Sequence, residues 1–175
     1  DSYNEGQVMN RLVQTARIAN EMGNIESRNK ILNTIKDRLE DWLSAENGEV
    51  AFLFYYQPTW TSLIGYPAGH GQDTNLNDHH FHWGYFIHAA SFLEQFQPGW
   101  AAQWGSMVNL LISDAANMDR SNTLFPFLRN FSPFAGHSWA NGFATFPFGN
   151  DQESSSESMQ FNSALIHWGS IIDNT

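Results

Sequence analysis

The chain has 175 residues, 42% of them hydrophobic, which is enough for one domain with a real core. Charged residues make up only 15%, against about 25% in an ordinary globular chain. The net charge is −10, and no Lys or Arg occurs from Leu39 to Asp119, so there is no basic stripe for nucleic acid; nor does any apolar run reach the roughly 20 residues that span a bilayer.

Cysteine is absent, which excludes disulfides and thiolate metal sites and leaves the compartment open. The first residues, Asp1-Ser2-Tyr3-Asn4, show neither a basic segment nor an apolar one of the signal-peptide kind, and a mature or excised segment of a secreted protein would read the same. Aromatic residues are abundant, with 14 Phe, 7 Trp and 5 Tyr. Neutral polar groups and exposed rings must therefore share the surface. Such rings suit stacking on sugars or burial against a further partner.

From about Glu5 to Met22, Val8, Leu12, Ala16 and Ala19 recur at helical spacing with Met9 and Val13 beside them, which predicts an amphipathic helix. Gly23-Asn24 ends it, and Ser27 can cap a second helix striped by Ile31, Ile35, Leu39 and Trp42 or Leu43. Asn47-Gly48 marks a turn. Two antiparallel helices result, and they read as scaffold.

The run Ala51 to Tyr56 is short and aromatic, as in a buried strand. Gln57 to Asp73 is broken by Pro58, Gly65, Pro67, Gly69 and Gly71 and reads as a long loop, of the kind that tends to be functional. Within it, Trp60 and Tyr66 are either sugar platforms or pins that hold the loop to the core.

A third helix is predicted from Asn77 or Asp78 to about Phe96, with Phe81, Tyr85, Ala89, Phe92 or Leu93, and Phe96 as its core stripe. His79, His80 and His82 invite a metal reading, but they miss the i,i+4 spacing of helical metal pairs. Asp78 and His82 share a face one turn apart. They are either an N-cap with core histidines, or an acid in a cleft with histidines as hydrogen-bonding wall. A fourth helix is expected from Trp100 to about Ala116, striped by Trp104, Met107 or Val108, Leu111 and Ile112. Ser121 to Phe148 is rich in rings and contains Arg129, His137, Trp139 and Gly142, which suits a packed segment or a groove lining better than a solvated linker.

In Asn150-Asp151-Gln152-Glu153-Ser154-Ser155-Ser156-Glu157, two carboxylates stand four residues apart at a helix start. On a helix, Glu153 and Glu157 would share a face and repel. Ser154 and Glu157 have the form of a capping box, and an N-terminal helix dipole favours the charge. The alternative is a carboxylate pair in a cleft, where repulsion tunes one group into a usable base. The final helix is expected from about Ser154 to Ile172, with Met159, Leu165 or Ile166, and Ile172 turned inward. Roughly six helices emerge, with acids at their starts and rings between them.

Three stretches, Leu76 to Phe86, Phe134 to Gly142 and Gly149 to Glu157, together resemble the family 81 glycoside hydrolases, the endo-β-1,3-glucanases of laminarin-type glucans. Tyr56-Gln57, Trp60 and Leu63 to Pro67 resemble the segment that precedes them. The chain departs from the pattern at Trp83, where the family suggests Tyr, and at Asp151, where it suggests Asn.

The resemblance implies a mainly α fold that is part of an (α/α)6 toroid, an inverting mechanism, no cofactor and no metal. It implies Asp78 as general acid, Glu153 as general base and Glu157 as an assisting carboxylate. Tyr56, Trp60, His79, His82, Tyr85, His137 and Trp139 would contact the sugar. The expected partner is β-1,3-glucan met outside the cell, with no nucleic acid and no membrane. Residues 1–175 would be one partial helical catalytic domain, half of a twelve-helix toroid, with the family's β-sandwich and remaining helices outside it. A non-catalytic glucan-binding module on the same fold is the competing expectation, and a histidine-bound metal hydrolase a third.

Overall fold

The computed structural model describes residues 1–142, 147 and 149–172. Its frame is helical. α1 (Ser2–Glu21) and α2 (Ile25–Leu43) form an antiparallel hairpin around a turn in which Gly23 takes φ 72°. Asp1 caps α1, its Oδ1 accepting from the Asn4 N–H at 2.8 Å. Asn24 caps α2 by accepting from the Ser27 N–H at 3.0 Å, so Ser27 is a recipient of the cap rather than the cap itself. The hairpin buries Met9, Val13 and Ala16 against Leu32, Ile35 and Leu39. Ala16 and Ala19 are buried as expected, but Val8 and Leu12 are only partly covered, and Met9 and Val13 beside them take the core positions.

The expected strand forms as β1 (Leu53–Gln57). The segment read as a long loop contains a second strand, β2 (Ser62–Tyr66), which pairs antiparallel to β1 with Leu53 opposite Tyr66 and Gln57 opposite Ser62. Pro58, Gly65 and Pro67 suggested a loop, but Pro58 and Pro67 flank the strand, and Gly65 has Phe54 packed over it: a Cβ there would lie 3.0 Å from the Phe54 ring.

α3 (His79–Phe96) is the centre of the molecule. It packs most on α5 (Ser155–Ile172), then on α1 and α4 (Trp100–Ala116), and also on α2. Nearly every residue from His79 to Glu94 is buried, so the single core stripe expected for it is wrong. A helix with neighbours on all sides must be apolar or internally satisfied all round. Gly84 permits the closest approach: a Cβ there would stand 3.1 Å from the Phe161 Cα of α5.

α4 matches its expected bounds. α5 buries Ser158, Phe161, Ala164 and Trp168, while Met159 and Ile166, two of its expected inward residues, are 67% and 74% exposed. The aromatic stretch before α5 packs on the helices through Phe125 and carries a small hairpin of β3 (Phe131–Ser132) and β4 (His137–Ser138). Among the described residues there are five helices, not six. The chain's last residues, 173–175, and the ring-rich 143–146 and 148 lie outside the described residues.

One buried carboxylate ties these layers together. Asp114 near the end of α4 is completely buried. Its Oδ1 accepts from the Leu63 N–H at 2.9 Å and the Ser62 hydroxyl at 3.1 Å, and its Oδ2 from His79 Nδ1 at 2.6 Å and Trp83 Nε1 at 2.8 Å. Arg129 adds a guanidinium contact at 3.4 Å and donates from Nε to the Asp114 carbonyl. Burial alone would push this carboxyl upward, but His79, Arg129 and the Trp83 indole outweigh it and hold it below the ordinary carboxylate value of 3.8.

Asp114→Ala would leave His79, Trp83 and Arg129 donors buried without an acceptor, and should cost about 3–5 kcal/mol in urea unfolding at neutral pH. A loss below about 1 kcal/mol would show that the network is not structurally required. The sign with pH follows from the lowered value: the stabilisation is full above 3.8 and is lost as pH falls below it.

Candidate active site

The candidate site forms where α3 and α5 begin. Three main-chain stretches meet there through backbone bonds. The Asp78 N–H donates to the Ala140 carbonyl at 2.7 Å, and the Ala140 N–H donates to the Asp151 carbonyl at 2.8 Å. Asn150 reinforces the second junction, its side chain bonding the N–H and C=O of Asn141 at 3.1 and 3.0 Å. Gly142 fits against Leu76, where a Cβ would collide. The acid before α3, the loop around Trp139 and the acids before α5 are thereby held in register.

The backbone is strained where the acids stand. Leu76, Asp78 and Glu153 take φ values of 52°, 60° and 59° in the left-handed region, a conformation costing on the order of 1–3 kcal/mol for such residues and concentrated at functional sites. Asp78 occupies the N-cap position of α3, yet its side chain caps nothing. It is 7% exposed, and its Oδ1 has no hydrogen-bond partner within the described residues. The capping explanation for Asp78 therefore falls away. Burial first, and then the charges of Glu153, Glu157 and Asp151, together raise its carboxyl to about 7.

Glu157, in the first turn of α5, is half-buried and Glu153 is exposed. The capping box is half made: the Glu157 N–H donates to Ser154 Oγ at 3.4 Å, but the Glu157 side chain does not return to the cap. It accepts instead from the Tyr85 hydroxyl at 2.7 Å. Burial, then the bond to Glu157, raises the Tyr85 hydroxyl well above its ordinary value of 10.

The other sequence-predicted residues separate into groups. His79 is wholly buried, with Nδ1 on Asp114 and Nε2 2.9 Å from the Gln72 carbonyl, so neither nitrogen is left for a ligand. His82 is also wholly buried, its Nδ1 2.8 Å from the Ser2 hydroxyl. Both rings are closed off from solvent in this structure, His79 with both nitrogens engaged and His82 with Nε2 left without a partner among the described residues. Burial, and next the neighbouring His79, lowers His80 to about 3 and depresses His82 well below 6.5. The three histidines point to different partners, and among the described residues no group of three or more His, Asp or Glu is placed to hold a metal.

Tyr85 is buried as a partner of Glu157 rather than as an open wall. Tyr56 donates its hydroxyl to the Leu124 carbonyl at 2.6 Å and packs on Phe125, so it pins a loop. Trp60, in the β1–β2 turn, is 45% exposed and open to a ligand. His137 and Trp139 stand edge to face at 4.5 Å and are half-buried near the Asp78–Ala140 junction. Sequence reasoning missed Asp114, Tyr3 and Gln7. Tyr3 and Gln7 carry an i,i+4 polar pairing on a helix otherwise read for its apolar stripe, and that was the available signal.

A buried acid whose carboxyl is raised within the field of further carboxylates is the equipment of glycoside hydrolases. The sequence profile of the glycosyl hydrolase family 81 C-terminal domain matches residues 1–175, and the chain belongs to that family. It is 50% identical to a glucan endo-1,3-beta-D-glucosidase of Acetivibrio thermocellus over 99% of its own length and 23% of that protein's. With the protein of the same name in Thermobifida fusca it shares 45% identity, over 98% of this chain and 23% of the relative. Its structure superimposes, with a TM-score of 0.95 and 49% identity, on the glycoside hydrolase family 81 structure from Clostridium thermocellum, determined as a glutamate-to-alanine mutant, over 99% of this chain and 24% of that one. The chain thus spans about a quarter of the length of these relatives.

Because the folded state holds a proton on Asp78 up to about 7 whereas an unfolded carboxyl releases it near 3.8, ionising Asp78 in place costs stability as pH rises through that interval. Asp78→Asn should therefore raise the thermal midpoint at pH values above about 7 and leave it nearly unchanged at about pH 4. An equal change at both would contradict the raised carboxyl.

Proposed function

We propose that this domain carries the catalytic carboxylates of an endo-β-1,3-glucanase. The observation that carries the reading is Asp78: buried, unpartnered at Oδ1 and raised to about 7 by burial and then by Glu153, Glu157 and Asp151. A general acid must hold its proton at working pH and release it to a leaving oxygen, and this environment supports both. Asp78 protonates the glycosidic oxygen. Glu153, exposed on a strained turn, draws the proton from a water that attacks the anomeric carbon from the opposite face, and the configuration inverts. Glu157, bound by Tyr85, supplies a neighbouring negative charge.

The substrate reading, β-1,3-glucan of the laminarin type, rests on the relatives named glucan endo-1,3-beta-D-glucosidases. Trp60, Trp139 and His137 offer rings and a ring nitrogen for sugar contacts, since sugar C–H faces stack on aromatic surfaces. A polymeric glucan is met outside the cell, which is the place of action we assign. The same reading makes the helical hairpins around α3 part of an (α/α)6 toroid completed by other helices of the family, with its β-sandwich elsewhere in the protein.

The full-length protein should release reducing ends from laminarin, with the α-anomer formed first by proton NMR. Glu153→Gln should lose at least about a hundredfold in kcat, as removal of a general base does. The rate should fall as pH rises through about 7, where Asp78 gives up its proton. Undiminished turnover by Glu153→Gln, or a β-anomer as first product, would refute the assigned roles.

A further inference from the structure

Tyr3 and Gln7 lie one turn apart on α1, on the side that meets Tyr85 of α3. Gly6 lets the helices close there, since a Cβ at that position would stand 2.8 Å from the Tyr85 Cβ. The Gln7 amide Nε2 donates to two phenol oxygens, Tyr85 at 2.7 Å and Tyr3 at 3.1 Å. A phenol oxygen that accepts a proton from Gln7 turns its own proton away from that amide. For Tyr85 the proton goes to Glu157 Oε1 at 2.7 Å.

The Tyr3 ring is fixed by edge contacts to His70 at 4.7 Å and Tyr85 at 6.1 Å and by a tilted contact to His82 at 5.3 Å. Its hydroxyl lies within the field of both Glu157 and Asp78. Burial, then the charge of Glu157, raises it above its ordinary value of 10.

We infer that Tyr3 and Gln7 are positioning residues of the site, the Gln7 amide tying the two phenols together and aiming the Tyr85 O–H at Glu157, so that this carboxylate becomes a fixed charge acting on Asp78. The inference rests on the glucanase reading and deepens it. A carboxylate occupied by a phenol donor is a poor acceptor for a water proton. Glu153, which has no such clamp among the described residues, is left to take it. Division of labour between two glutamates four residues apart is thus set from a third helix, far away in sequence.

The test uses Tyr3→Phe, which keeps the ring, and Gln7→Leu, in the full-length protein. Turnover of laminarin is measured against pH, and the titration midpoint of the Asp78 carboxyl is followed by carbon-13 NMR. With the phenol–amide cluster behind Glu157 loosened, kcat should fall about tenfold or more, as small misplacements of catalytic groups produce, and KM should stay within about twofold. The Asp78 midpoint and the alkaline limb of the rate profile should both move to lower pH, because the charge that raises them is loosened. A tie between helices without influence on the site would leave both unmoved, and that result in folded Tyr3→Phe overturns the inference. Should the parent protein release no sugar, the glucanase reading fails by itself, while the Asp78 midpoint still decides the role of Tyr3 and Gln7. Should Gln7→Leu not fold, Tyr3→Phe decides it alone.

Discussion

A carboxylate that is wholly buried must be surrounded by donors or it expels itself from the fold. Asp114 is such a group, and meeting its requirement draws β2, α3, α4 and the segment of Arg129 to one point. The consequence reaches the site through one peptide unit, since His79 adjoins Asp78. With His79 fixed by Asp114 on one nitrogen and Gln72 on the other, the first turn of α3 has no rotational freedom. Asp78 is then left buried in a left-handed conformation, with no bond at Oδ1 among the described residues. A saturated buried acid thereby supports an unsaturated one, and the two carboxyls are displaced from their common intrinsic value in opposite directions.

The site's electrostatics follow from how few cations surround it. Six of the eight Lys and Arg fall between Arg11 and Arg38, and Arg129 is committed to Asp114. Asp151, Glu153 and Glu157 therefore act on Asp78 without a cation shown to offset them in its titration. The acidic balance of the composition thus has a local meaning: it adds to burial, the larger cause, in keeping a proton on one carboxyl near neutral pH.

Much of this was legible in the sequence, for reasons that differ by element. The α1–α2 hairpin and α4 follow from periodicity and breakers, which act locally. Asp78, Glu153 and Glu157 stood out because acids at helix starts need an explanation, and the structure brings their charges together. β2 was hidden by glycine and proline, whose punctuation resembles a loop when the pairing strand is not yet known. The histidines of α3 misled because their types suggest ligands, whereas their roles depend on enclosure by four other helices. Asp114 gave no local sign at all. Its partners come from residues up to 52 positions away, and a hub of that kind exists only once the chain has folded.

The ties that join the loops of the site run from peptide N–H to peptide carbonyl, from Asp78 to Ala140 and from Ala140 to Asp151. Main-chain bonds are indifferent to which side chain hangs from the residue. Among the described residues, Gly142, pressed against Leu76, Asn150, bonded to Asn141, and the buried Ala140 constrain identity at this junction. The half-buried ring at Trp139 can therefore be exchanged without breaking these bonds, while the spacing of the acids stays as it is. A scaffold wired this way separates what its surface presents from where its carboxylates stand.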